Sequence, residues 1–164
     1  MVNYILSYLT LAIIFIFQTT LSKYIDIFSV APNIIFVFTL CYSMYNFPVR
    51  STVLCVVAGL ITDMYSHSYI GLNALLYMYI GLAISSFASS LIKKNIWTVA
   101  LGVLCVSLLY HTVILTVCYL MPSYSGFLYP FVRFVIPTAF YDGALAFIIS
   151  PLAHYLSKEK IRGL

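Results

Sequence analysis

The chain has 164 residues, of which 63% are hydrophobic and 7% are charged, and its formal net charge is +4 at pH 7. A soluble domain carries roughly 25% charged residues, so this composition excludes a water-soluble fold and indicates an integral membrane protein. The basic residues are scattered or lie at helix ends rather than in one patch, which excludes a nucleic-acid-binding protein.

A membrane-spanning helix needs about 20 mostly apolar residues. The first apolar run has no basic segment before it and no A-x-A cleavage pattern, so we interpret it as a helix rather than a signal peptide. Pro32 and Pro48 suit the first turn of a helix, and the turn "NFPVR" between the second and third runs predicts a tight hairpin in the middle of the bundle. The pattern predicts one all-α transmembrane domain over residues 1–164, with six helices at about residues 4–21, 32–47, 48–65, 70–92, 96–121 and 131–156.

Six helices place both termini on the same side of the membrane. If that side is the cytoplasm, only Lys23 and Arg133 are external. The cytoplasmic basic residues are then Arg50, Lys93, Lys94, Lys158, Lys160 and Arg162. This distribution obeys the positive-inside rule, so we expect cytoplasmic termini.

Ionisable residues within the apolar runs are costly in a membrane and are usually paired or functional. Asp63 is predicted near the outer end of the third helix, at a depth similar to that of Arg133. Three interpretations stay open for Asp63: an ion pair with Arg133, hydration at the outer interface, or contact with a ligand or partner. We interpret it as a residue that fixes the turn from the third to the fourth helix rather than as a catalyst.

His111 and Asp142 are both predicted near the membrane midplane, on the fifth and sixth helices. We predict a hydrogen bond between them. The alternatives are that a tyrosine hydroxyl or a backbone carbonyl satisfies each residue, or that the two form part of a proton relay.

Small residues recur every four positions along two of the helices. They are Gly81, Ser85 and Ser89 on the fourth, and Ala146 and Ser150, following Asp142, on the sixth. Such faces allow helices to approach closely, either within this chain or against another membrane protein.

The sequence contains no HExxH, GxSxG or P-loop motif and no nucleophile beside a base. Its four cysteines lie in apolar runs without CxxC spacing, which is typical of small buried hydrophobic residues. We therefore predict no catalytic residue, cofactor or metal site.

Three ordered segments resemble the MreD family of rod shape-determining membrane proteins. The first is "APNIIFVFTLCYSMY", where Pro32 and Asn33 match a P-D-L-L helix start with asparagine in place of the acid. The last is "IPTAFYD", which is similar to L-P-T-x-L-Y-N with Asp142 where asparagine is usual. The central segment, "GLITDMYSHSYIGLNAL", is the most specific, and its matching residues are Gly59, Asp63, Gly71, Leu72, Asn73, Ala74 and Leu75.

This resemblance implies a non-enzymatic subunit of the cell-elongation machinery in the bacterial cytoplasmic membrane. The subunit would bind the single-pass protein MreC and, through it, connect to MreB, RodA and a penicillin-binding transpeptidase. The resemblance also implies a fold similar to the S components of energy-coupling-factor transporters. The alternative function is therefore a substrate-binding component of a vitamin-type transporter. We expect the partner contact on helices two to four near the outer surface.

Overall fold

The structure, a computed structural model, describes residues 2–21, 33–66, 71–88, 95–120 and 128–157. Within these ranges the chain is all-helical and has no strand. We number six helices: α1 (Val2–Leu21), α2 (Ile34–Tyr45), α3 (Pro48–Ser66), α4 (Leu72–Ala88), α5 (Ile96–Tyr119) and α6 (Leu128–Ser157). Pro48 begins α3, as predicted, whereas Pro32 lies outside the described residues.

Helix α6 starts three residues before its predicted position and contains a π-helical segment, Phe131–Val135. There, the backbone N–H of Ile136 donates to the carbonyl of Phe131. Pro137 follows at once. Its ring has no N–H and would clash with the carbonyl four residues earlier in a regular α-helix, and an added residue in the turn is one way to avoid that clash.

Helix α2 is the centre of the bundle. All of its residues from Ile35 to Ser43 are buried, and it packs against α6, α4 and α3, with lesser contacts to α1 and α5. Helices α3 and α4 form the most extensive pair, and α6 packs on α5 as well as on α2. The predicted hairpin therefore has one central helix, α2, and one helix, α3, that keeps an exposed side.

Three aromatic rings fill the interior where α2, α4 and α5 meet. Phe36 stacks on Tyr110 with ring centroids 4.4 Å apart, and it contacts Tyr77 at 5.1 Å. Tyr77 and Tyr110 meet edge to face at 5.6 Å. Because all three side chains are buried, the two tyrosine hydroxyls need hydrogen-bond partners inside the bundle.

Large apolar side chains cover the outside of the bundle, as expected of a surface that faces lipid rather than water; examples are Ile5, Met64, Phe87, Leu109 and Ile148. Three helical stretches of the described residues are long and apolar enough to cross a membrane: Pro48–Tyr65, Ile96–Tyr119 and Leu128–Ser157. Shorter apolar helices occupy Ile5–Thr20, Ile34–Tyr45 and Leu72–Phe87.

Candidate functional site

The carboxylate of Asp63 caps the N-terminus of α4. Its Oδ2 accepts hydrogen bonds from the backbone N–H groups of Gly71 (2.9 Å) and Ala74 (3.2 Å), and its Oδ1 accepts one from that of Asn73 (3.1 Å). The first N–H groups of a helix have no intrahelical partner, and the helix dipole favours a negative charge there. Asp63 is only 2% exposed, so backbone donors rather than water satisfy it and fix the connection from α3 to α4.

Two glycines make this capping geometry possible. Gly71 has a φ of +96°, a backbone conformation that residues with a Cβ rarely adopt. At Gly59, α3 approaches α4 so closely that a Cβ would lie 2.5 Å from the Cα of Ala74 and 2.8 Å from the carbonyl oxygen of Asn73. The glycine at 59 therefore sets the distance between the two helices, and the glycine at 71 sets the start of α4.

The side chain of Asn73 continues the polar contacts into the bundle. Its Oδ1 accepts a hydrogen bond of 2.7 Å from the hydroxyl of Tyr110 on α5. The ring of Tyr110 contacts that of Tyr77, whose hydroxyl accepts a 3.0 Å hydrogen bond from Nδ2 of Asn33. Asp63, Asn73 and Tyr110 thus form one hydrogen-bonded group, and the Tyr77 ring joins it to a second.

Asn33 is the hub of the second group. Its Oδ1 caps α2 by accepting from the backbone N–H of Phe36 (3.1 Å), and Nε2 of Gln18 approaches the same oxygen at 3.5 Å. Gln18 also accepts a 3.0 Å hydrogen bond from the backbone N–H of Ile35. One amide at the start of α2 therefore holds α1, α2 and α4 together.

Asp142 completes the second group from α6. It is 0% exposed; its Oδ1 accepts a 3.3 Å hydrogen bond from the backbone N–H of Asn33, and its Oδ2 accepts one from the hydroxyl of Ser107 on α5. The Nδ1 of His111 lies 3.1 Å from that hydroxyl and 2.8 Å from the Ser107 carbonyl oxygen. The predicted direct bond between His111 and Asp142 is wrong, because Ser107 lies between them.

Ser107, His111 and Asp142 are the residue types of a hydrolase triad, but their arrangement differs. In a triad the histidine lies between the carboxylate and the hydroxyl and accepts the hydroxyl proton. Here the hydroxyl lies in the middle and donates to the carboxylate, so the histidine does not link the carboxylate to the hydroxyl as it does in a triad. Within the described residues there is also no group of three or more His, Cys, Asp or Glu side chains that could hold a metal ion.

The sequence of the chain matches a known protein family. A family described as rod shape-determining protein MreD matches residues 1–159, which is nearly the whole chain. The chain belongs to the MreD family. It is therefore a rod shape-determining membrane protein. Comparisons with curated proteins and with solved structures find no match for it.

Five of the seven matching residues of the central segment that resembles MreD lie in these contacts. Asp63 contacts Gly71, Asn73 and Ala74 directly, while Gly59 lies against Ala74. Asn33 contacts Asp142 although the two are 109 residues apart in the sequence. We call the whole set the buried polar network, and its members are Gln18, Asn33, Asp63, Asn73, Tyr77, Ser107, Tyr110, His111 and Asp142.

Arg133 lies apart from the network. It is exposed within the π-helical segment of α6, and no ion pair connects it to Asp63, whose carboxylate already accepts three backbone N–H groups. Of the three interpretations of Asp63, the ion pair is wrong, because the helix end supplies nearer donors. Hydration is wrong as well, because burial leaves the carboxylate almost no contact with water.

Sequence reasoning missed four members of the network: Gln18, Tyr77, Ser107 and Tyr110. Gln18 and Ser107 are uncharged polar residues in apolar helices, and each could have been treated like the ionisable ones. Tyr77 and Tyr110 are two of the fifteen tyrosines of the chain, and their buried hydrogen bonds become apparent only in the structure.

The small-residue faces serve packing within the chain at every described position. Gly81 and Ser85 are buried, and a Cβ at Gly81 would lie 2.6 Å from Sγ of Cys55. Ala146 and Ser150 are buried on α6, and the Ser150 hydroxyl is hydrogen-bonded to that of Tyr45. Ser89 lies outside the described residues.

Proposed function

We propose that this chain is a non-enzymatic subunit of the bacterial cell-elongation complex, which helps to organise lateral peptidoglycan synthesis by binding MreC. Through MreC it would connect to MreB, RodA and a penicillin-binding transpeptidase. The observation that carries the proposal is the match of residues 1–159 to a rod shape-determining family. The chain would lie in the cytoplasmic membrane as one domain with six crossings and cytoplasmic termini, which the charge distribution supports.

The polar groups of the network are hydrogen-bonded to other groups of the same chain, and this supports a scaffold role. A ligand site presents a few polar groups that converge on an open pocket. Here Asp63 is occupied by three backbone donors, Asn73 by Tyr110, and Asp142 by Ser107 and Asn33. Such a network gives a fixed shape to the bundle, which a scaffold needs, and it leaves these groups with little capacity to bind a transported molecule.

The proposed contact face is the outer end of the α3–α4 pair. Helix α2 belonged to the face expected from sequence, but it is buried from Ile35 to Ser43 and presents little surface to a partner. Helices α3 and α4 expose four large side chains towards the end that carries the Asp63 cap. We call these four residues the outer α3–α4 face: Leu60, Met64, Leu75 and Tyr79. Because the cap fixes the geometry of these helix ends, this face is suited to recognising another transmembrane helix.

Site-specific photocrosslinking in living cells tests the contact. A crosslinking residue at Met64 is expected to capture MreC, whereas the same residue at Leu120, which is also 80% exposed and lies at the outer end of α5, is not. Equal capture from both positions, or none from either, would contradict the proposed face.

Depletion of the protein tests the function itself. We expect depleted cells to become round and the tagged protein to co-purify with MreC. Cells of normal shape that require an added vitamin would support the transporter alternative and refute the scaffold.

A further inference from the structure

Asn33 and Asp142 lie in direct contact across the α2–α6 interface. The backbone N–H of Asn33 donates to Oδ1 of Asp142 over 3.3 Å. Residue 33 carries an amide and residue 142 an acid of the same side-chain length, so an exchange of the two side chains would conserve the size and composition of the pair.

We propose that residues 33 and 142 form one site, which holds a single carboxyl group beside a single amide, and that either residue can supply the carboxyl group. The carboxyl group here is on α6. The site joins the start of the central helix to α6 and, through Ser107 and Gln18, to α5 and α1.

The surroundings of residue 33 suit a carboxylate. The backbone N–H of Phe36 and Nε2 of Gln18 both approach Oδ1 as donors, and aspartate is as good an N-cap as asparagine. The side-chain nitrogen of Asn33, Nδ2, donates to the hydroxyl of Tyr77. A hydroxyl both donates and accepts, so Tyr77 would rotate its proton toward an aspartate oxygen.

The surroundings of residue 142 suit an amide. The carbonyl oxygen of an asparagine would accept the N–H of residue 33, and its NH₂ group would donate to the Ser107 hydroxyl, which is also an acceptor. Each hydrogen bond of Asp142 therefore has a counterpart in the exchanged pair.

Two carboxyl groups at once do not suit the site. Asn33→Asp alone would place a second acid on the residue whose backbone nitrogen is 3.3 Å from Asp142. The two acids cannot both ionise in a buried site without strong repulsion. Asp142→Asn removes the first acid, so it is expected to suppress the defect of Asn33→Asp.

The test is a double-mutant cycle on the full chain purified in detergent, with the melting temperature as the readout. Asn33→Asp is expected to lower that temperature by about 10 °C, the scale for one uncompensated buried charge, or to prevent accumulation of the protein. Asp142→Asn alone is expected to have the smaller effect. The exchanged protein, Asn33→Asp with Asp142→Asn, is expected to accumulate and to melt within about 3 °C of the wild type.

Asn73→Asp is the matched control, because Asn73 is the other asparagine of the network but contacts Tyr110 instead of Asp142. Asp142→Asn is not expected to rescue it. An exchanged protein no more stable than Asn33→Asp alone would overturn the proposal, and so would equal rescue of Asn73→Asp. Because the readout is stability of the chain by itself, the outcome does not depend on whether the protein binds MreC.

Discussion

Asp63 and Gly71 are eight residues apart, and the Asp63 carboxylate accepts the Gly71 backbone N–H over 2.9 Å. This hydrogen bond joins the last turns of α3 to the start of α4. An acid that looks misplaced at the end of an apolar helix thus supplies the missing acceptor for the helix that follows.

Replacing Asp63 with asparagine is expected to destabilise the protein by about 1–3 kcal/mol, because an amide offers one oxygen to three N–H donors and turns an NH₂ group towards them. The measurement is thermal unfolding of the purified protein in detergent. Asp63→Ala is expected to cost more, since it leaves all three donors unpaired. Equal melting temperatures for the wild type and both variants would show that the cap is not needed.

Gly59→Ala is expected to be destabilising by about 1–3 kcal/mol or more, the range for overpacking. Its Cβ would meet backbone atoms of Asn73 and Ala74 at 2.5–2.8 Å, and these cannot move without shifting α4. Gly102→Ala is the control. Its Cβ would meet the terminal methyl of Met44, a flexible side chain, so its effect is expected to be smaller. The melting temperatures of the two variants are compared. A Gly59→Ala protein that melts no lower than Gly102→Ala would contradict the prediction.

Tyr110→Phe removes the hydroxyl that donates to Oδ1 of Asn73. We expect a loss of about 1–3 kcal/mol, because the buried asparagine oxygen loses this hydrogen bond. Tyr79→Phe, at a tyrosine on the outside of α4, is the matched control and is expected to change stability by less than about 0.5 kcal/mol. If both substitutions cost the same, the Tyr110 hydroxyl contributes nothing specific.

Exchange of the charges of Asp63 and Arg133 is expected to fail. Arg133→Ala alone should leave stability within about 0.5 kcal/mol of the wild type, because the side chain is exposed. Asp63→Arg should be severely destabilising, because it brings a cation to the positive end of α4. Adding Arg133→Asp to Asp63→Arg is not expected to restore accumulation of the protein in the membrane. Recovery of accumulation would show that residues 63 and 133 interact and would contradict the contacts described for Asp63.

Local sequence signals predicted the helices and the α3–α4 connection well. Proline at position 48 begins α3, and the acid at 63 with the glycine at 71 lies at a helix connection, because these signals depend on backbone chemistry within a few residues. Apolar length gave the approximate position of each helix in the same way.

The partners across helices were harder to predict. His111 and Asp142 were predicted at a similar depth, and both contact Ser107, but depth does not give the direction in which a side chain points around the helix axis. In a soluble protein the polar stripe of a helix supplies that direction. In lipid both the buried and the outer faces of α5 and α6 are apolar, so Ser107 could not be recognised as the residue between them.

The burial of α2 has a consequence for how the chain is made. Twelve residues rise about 18 Å, which is short of the roughly 30 Å of hydrocarbon in a bilayer, so α2 is poorly suited to stand alone in lipid as it leaves the ribosome. Its extensive contacts with α6 form only after the last helix has been synthesised. Truncation before α6 would therefore remove the partner that the second helix needs, and we expect membrane quality control to degrade such fragments rather than leave them partly active.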